Sequence, residues 1–268
     1  MLGMPSVGLA DTCETSLTLV TEILTMPQHL RVLLFLCLGL LLSGCAAKFQ
    51  QQSYNHIAHA DLKRIAVLPM IDAKPRLFIF NNAGYNFGLI GTLIAEANRD
   101  GKEDWLQETA AAADFDQFSL MRAQLDAQMA ERGFQLVWPE RLAVPAKGLK
   151  LGAWGLRKTY TPRSDVDGQL DLALGFVGYA CAGSGKKQPY RPTIYAAVRL
   201  LDADGKAILF ADEFVYHNVN QHVSAQIIEP DTAYTYPDFD DLKAADRTAI
   251  TGLEQAVRQV ADRIAAQL

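Results

Sequence analysis

"TIYAAVRLLDADGKAILFADEFVYH", residues 193–217, is the stretch on which the fold turns. Two β-rich runs, the first beginning at Thr193 and the second at Lys206, flank Asp202, Asp204 and Gly205. Asp side chains bond their own backbone in turns and Gly takes a positive φ without steric cost, so the stretch predicts a β-hairpin. The same residues echo a calcium loop, with Asp202, Asp204 and, at the twelfth place, Glu213. Glycine stands fourth instead of sixth, however, and aliphatic and aromatic residues replace the middle ligands. The turn reading prevails.

Working outward, "LDLALGFVGYA" from Leu170 is a third strand run, joined to the hairpin through "ACAGSGKKQ", 180–188. Gly185-Lys186 matches the centre of a phosphate-binding loop, but Ala180 replaces the first glycine, Lys187 replaces the metal-holding hydroxyl, and "QPYRP" follows where a helix is needed. An exposed hairpin loop is the better reading. Further upstream, "RIAVLPM", 64–70, reads as a strand buried on both faces and stopped by Pro69. "FQLVWP", 134–139, reads as a strand ended by Pro139. Before it, Phe115, Phe118, Met121, Leu125 and Met129 recur at helical spacing, with Asp114 as N-cap and Gly133 where a helix end wants left-handed geometry.

The segment 77–97 is apolar and glycine-studded; if helical, Gly84, Gly88 and Gly91 share one face. Such a small-residue face packs closely on the chain's own sheet, or else touches lipid or a partner subunit. Residues 140–168 form a long connection with a short helix around 140–155. The chain closes on a long helix whose apolar face carries Leu242, Ile250, Leu253, Val257, Val260, Ile264 and Leu268, capped by Asp238 or Asp240. The expectation is one α/β domain over 61–268, with amphipathic helices on a mixed sheet that includes a β-hairpin.

"LRVLLFLCLGLLLSGCAAKF", 30–49, decides location. Its apolar run from Val32 to Leu42 would extend roughly 17 Å as a helix, short of the ~30 Å hydrocarbon core. Arg31, that run and Ser43-Gly44 supply in order the basic start, apolar stretch and small residues of a signal peptide. Leu42, Ser43, Gly44 and Cys45 resemble the lipobox of bacterial lipoproteins. That resemblance implies cleavage before Cys45, a diacylglycerol on its thiol and acylation of its freed amino group. Ala46 stands where Asp commonly marks inner-membrane retention, so the resemblance points to the periplasmic face of the outer membrane. Residues 1–25 carry Asp11, Glu14 and Glu22 where a leader wants positive charge, so Met26 is the better start and 1–25 a non-native or disordered extension. The leader is then 26–44, and 45–60 is a polar, flexible tether in which His56 and His59 lack the further ligands a metal needs.

Cleavage leaves 224 of the 268 residues and a formal charge of minus three. No basic run supplies a patch for phosphates, so no nucleic-acid partner is expected. Cys181 is the remaining thiol besides Cys45 and reads as buried. No G-x-S-x-G occurs, no lone Glu in an apolar setting stands out as a raised-pKa acid, and neither metal nor cofactor is expected. The remaining candidates for a ligand or partner contact are Tyr179, Tyr190, His217, His222, Tyr234 and Tyr236, which could line a cleft formed by the loops 178–192 and 217–237.

The order of elements, "RIAVLPM", an amphipathic helix ending at Gly133, a strand, then "LDLALGFV" and "VRLLDADGKAILFADE" before a terminal helix, resembles envelope lipoproteins of the curli-secretion and penicillin-binding-protein-activator type. It is similar also to the amino-terminal domain of the Tol translocation protein. This chain departs from them in the 77–97 and 140–168 segments. The resemblance implies a non-catalytic assembly or regulatory role, through an envelope protein partner or a homo-oligomer. The alternative is a ligand-binding or hydrolytic envelope protein using the tyrosine and histidine loops.

Overall fold

A computed structural model describes residues 49–81, 88–183, 188–217 and 225–268, without side-chain detail for 88–98 and 153. The expected extension 1–25, leader 26–44, lipobox and Cys45 lie outside the described residues, as do Gly84 and His222. The fold is α/β, as expected. A seven-stranded mixed sheet runs in the order β4 (Gln135–Val137), β1 (Arg64–Val67), β6 (Gly168–Gly183), β7 (Arg191–Asp202), β8 (Ile208–Tyr216) and β9 (Gln226–Ile228), with β3 (Arg76–Asn81) also on β6. A small side pair joins β2 (Met70–Ile71) to β5 (Ala143–Val144).

The sheet is organised by β6. Its 16 residues span about 50 Å at the usual strand rise, enough to carry two partners in tandem on one edge. β1 pairs parallel with its first half, Ile65 opposite Gly168, and β3 parallel with its second half, Arg76 opposite Gly178. A Cβ at Gly178 would stand 1.7 Å from the Arg76 carbonyl oxygen, so only glycine lets β3 approach there. The other edge of β6 pairs antiparallel with β7, and β7 antiparallel with β8. The expected turn joins β7 and β8: Asp202 Oδ1 accepts from the backbone N–H of Lys206 at 2.7 Å and of Ala207 at 3.2 Å, and Gly205 has φ +70°.

Helices α1 (Gly88–Ala112), α2 (Gln117–Glu131), α3 (Phe239–Ala245) and α4 (Arg247–Ala265) build the helical layer. Met121, Leu125 and Met129 of α2 and Val257, Val260 and Ile264 of α4 are sealed from solvent against Ile65, Leu170, Leu172, Val198, Leu200 and Phe214. Each such aliphatic side chain contributes about 1.5–3 kcal/mol relative to exposure. Leu106, Ala110, Leu242, Ile250 and Leu253 close a second cluster on Tyr179 and Cys181. Gly133, with φ +82°, ends α2 as anticipated.

Several expectations are corrected. Asp116, not Asp114, caps α2, accepting from the N–H groups of Phe118 and Ser119. Residues 76–81 form an edge-paired strand instead of a helix, so only Gly88 and Gly91 of the glycine stripe fall in a described helix, at the start of α1. The terminal helix is two: Asp238 caps α3, and Asp246, at φ +45°, breaks the chain before α4. The reading of 45–60 as a free tether fails from Phe49 onward. Gln52 makes an antiparallel bridge to Ala211 of β8, with N–O distances of 2.8 and 2.9 Å in the two directions, and Phe49 and Tyr54 are buried. His56 and His59 pack their rings on Tyr54, with centroids 4.9 and 5.6 Å away. The packed body thus includes the residues from Phe49 onward, and not only those from near Asp61. No helix among the described residues is long and apolar enough to cross a membrane.

Candidate functional site: an aromatic sheet face

Among the described residues, no helix layer packs on the second face of the sheet. Its first half lies under the 151–160 connection. Phe49, Leu156, Ala173, Ala197 and Ala211 form a small cluster there, beside a buried polar network that pins the connection down. Asp171, on β6, is 1% exposed. Its Oδ1 accepts from Arg157 Nη1 at 2.6 Å, while Oδ2 accepts from the Arg157 backbone N–H at 2.7 Å and the Tyr160 hydroxyl at 3.0 Å. Arg157 also donates to the Pro69 carbonyl, and Arg199 Nη1 donates to the Tyr160 oxygen at 3.1 Å. Burial first, then the Asp171 charge, pushes the Tyr160 phenol up to about 12.

The second half is aromatic, with Phe176, Thr193 and His217 buried and Phe78 exposed. Leu77 and Ile79 of β3 point into the helical core, which puts Phe78 and Phe80 on this side. A bulge between Leu174 and Phe176 shifts the register of β6, and Gly175 within it contributes no side chain. Beside that gap lies a depression of about 220 Å³ lined by Arg76, Phe78, Phe80, Phe176, Thr193 and Tyr195. A neighbouring one of about 230 Å³ shares Gly175 and Tyr195 and reaches Trp154 and Glu213.

The ring contacts fall in two groups. Phe49 meets Trp154 edge-on at 5.2 Å; Tyr195 lies 5.9 Å from Phe176, which lies 6.4 Å from Phe78, itself 5.0 Å from Phe80. His217 stacks on Phe80 at 5.9 Å and meets Tyr195 at 5.2 Å. Phe78 is 39% and Trp154 38% exposed, high for rings of that size. Trp154 is held at φ +64°, a left-handed conformation costly for a bulky side chain. Burial pushes the Tyr195 phenol up to about 12.

The structure does not bring the expected tyrosines and histidines into one cleft. Tyr179, Tyr190 and Tyr236 are core residues of the helical side. The Tyr179 hydroxyl donates to the Ala249 carbonyl at 2.9 Å, and Tyr190 and Tyr236 exchange backbone hydrogen bonds at 2.7 and 2.9 Å. Tyr234 is half-buried against Gly252 of α4. Among the expected residues that are described, His217 alone lies on the aromatic face, where it is buried. Burial raises the Cys181 thiol above its ordinary value, so it is held as a neutral core residue. Among the described residues no group of three or more His, Cys, Asp or Glu is placed to hold a metal ion. Phe49, Phe78, Phe80, Trp154, Phe176 and Tyr195 were missed as site residues from sequence. For Phe78 and Phe80 the signal was "RLFIF", in which both phases of a period-two strand are apolar, demanding two covered faces. Comparison with protein-family models and with curated proteins gives no match for this chain.

Proposed function

We propose that this chain is a lipid-anchored envelope protein of the outer membrane, a non-catalytic module that meets an envelope protein or a second copy of itself on the periplasmic side. The observation that carries the reading is the spacing between anchor and domain. Cys45 of the Leu42-Ser43-Gly44-Cys45 lipobox stands four residues before Phe49, the first described residue, which is packed into the fold. An acylated Cys45 would therefore hold a folded body directly at a bilayer, where two or three acyl chains at ~0.8 kcal/mol per buried methylene retain it. The distant resemblance to assembly and regulatory lipoproteins supports the non-catalytic reading. The alternative ligand-binding or hydrolytic role drew in part on Tyr179, Tyr190 and Tyr236, which fill the core.

Mass spectrometry of the purified native chain tests the anchor: an N-terminal acylated Cys45 is expected. The Cys45→Ser variant should leave the membrane fraction. Recovery of a water-soluble chain with a free Cys45 thiol and its leader attached would overturn the placement. Crosslinking in intact envelopes should then recover one specific protein or a dimer of the chain, and monomer alone would count against the module role.

A further inference from the structure

We infer that the pocket between the 54–63 turn and the carboxy-terminal ends of α2 and α4 is a binding site for a phosphate group carried on a small organic molecule, with Lys63 and Arg132 taking the charge and Tyr54 and Phe134 the carbon part. The inference goes beyond the lipid-anchor reading and does not depend on it.

No run of the sequence is basic, yet the fold gathers basic side chains from separated stretches. His56, His59 and Lys63 come from the turn, Arg132 and Phe134 follow α2, and Leu268 follows α4; together with Tyr54 they line a pocket of about 400 Å³. Small-molecule sites span roughly 300–1,000 Å³. The chain carries 30 acidic against 25 basic residues, but among the described residues no Asp or Glu lines this pocket. Asp61 and Glu131, neighbours in sequence of the basic groups, stand outside it.

The two cations are not used up by the fold. Among the described residues no ion pair takes Lys63 or Arg132. Lys63 engages Asp167 Oδ2 through its backbone N–H at 2.9 Å, which leaves Nζ for a ligand. Arg132 Nη1 donates to the Gln128 carbonyl of its own helix at 3.1 Å, and the other guanidinium donors remain. Arg132 and Ala266 are the C-cap residues of α2 and α4, whose ends carry about half a negative charge each. The two full charges of Lys63 and Arg132 exceed that. A guanidinium fork and an ammonium beside two imidazoles suit a dianion with three oxygens better than a single carboxylate.

The turn is already set in shape. Asn55 Oδ1 accepts from the backbone N–H of Ile57 at 3.1 Å and of Ala58 at 3.0 Å, and the Tyr54 hydroxyl donates to the His59 carbonyl at 3.3 Å. Tyr54 meets Phe134 edge-on with centroids 6.3 Å apart, and both imidazoles pack on that same buried tyrosine ring. A site whose side chains are held this way loses little freedom on binding.

The test uses the purified full chain in nonionic detergent micelles, with histidine labelled by carbon-13 and no phosphate in the buffer. Glycerol 3-phosphate is the soluble probe, phosphatidic acid mixed into the micelles is the lipid probe, and acetate is the control anion. The imidazole signals of His56 and His59 should move with at least one phosphate probe while that of His217, buried on the sheet, holds. Movement with glycerol 3-phosphate names a soluble ester as the source, and movement with phosphatidic acid alone names a lipid headgroup; either supports the site. Lys63→Met and Arg132→Met remove exposed side chains and should each weaken the effective probe about ten-fold or more, the worth of a charge-assisted hydrogen bond. Lys147→Met, the same loss of charge at an exposed position away from the pocket, should weaken it less than about two-fold. Unmoved signals with both phosphate probes, an equal response to acetate, or equal losses in all three variants overturn the inference. Two pocket variants, each checked by circular dichroism for native fold, keep the outcome from hanging on one.

Discussion

Replacing Asp171 by Asn should be among the most damaging changes one can make on the second face. The carboxylate is 1% exposed and accepts three hydrogen bonds, two from Arg157 and one from Tyr160. Asn keeps the shape but loses the charge, and its amide NH₂ must face one of those donors. The two bonds from Arg157 fall from the charge-assisted range of about 1.5–3 kcal/mol toward the neutral ~1 kcal/mol. The Arg157 guanidinium, only 12% exposed, is left without its counter-charge. Removing one partner of a buried pair costs about 3–5 kcal/mol, and we expect about 3–4 kcal/mol here. With an m value of about 2–3 kcal/mol/M, the urea midpoint should drop by about 1–2 M. Urea titration followed by tryptophan fluorescence and by far-ultraviolet circular dichroism measures it. Arg157→Met should also destabilise, and Arg157→Met with Asp171→Asn should cost clearly less than the two singles combined, because the second change no longer strands a charge. Limited proteolysis should cut Asp171→Asn within 151–160 first. A loss below about 1 kcal/mol, or strict additivity in the cycle, would refute the claim that this ion pair pins the connection.

Three further outcomes follow from the packing. Gly252→Ala should lower stability by about 1–3 kcal/mol, seen as a Tm drop of several degrees by calorimetry, because its Cβ would stand 2.7–2.8 Å from the Tyr234 ring and the Tyr179 hydroxyl. Asp116→Ala removes the cap of α2 and should cost about 1 kcal/mol in urea, with Asp116→Asn largely restoring it. Alkali should unfold the domain cooperatively. Tyr160 and Tyr195 are held up to about 12 against 10.0 unperturbed, so between those values the unfolded chain has released protons that the folded chain keeps. Their contribution is intact below pH 10 and fades as pH rises toward 12; phenolate absorbance rising together with loss of circular dichroism would show it, and full tyrosine ionisation near pH 10 with the fold intact would contradict it.

The hairpin was legible because Asp202 and Gly205 do their work locally, within five residues. The faces of α2 and α4 were legible for the same reason: helical period survives whatever lies beyond it. The misreadings share a cause. Residues 77–97 have no period that separates strand from helix, and it is β6, a hundred residues on, that turns 76–81 into a strand. The segment 49–60 is polar enough to pass for a tether, yet Gln52 is recruited by the backbone of Ala211, a partner no local pattern announces. The tyrosines were misplaced because a ring with a hydroxyl suits a cleft and a core equally. Only the Ala249 carbonyl over Tyr179 decides between them. The aromatic face went unseen because Phe78 and Phe80 sit in a run apolar in both phases, which has no period to set strand apart from helix.

The tandem pairing of β1 and β3 on one edge of β6 sets an order of events in time. Ile65 must wait for Gly168, and Arg76 for Gly178, about a hundred residues later in synthesis. By contrast β6, β7 and β8 close on one another through short connections as soon as they exist. The middle of the chain is thus the natural seed, and the amino-terminal third arrives first but settles last. A chain built this way stays unfolded while its front end is being made, which is the state in which a polypeptide can be threaded through a narrow channel.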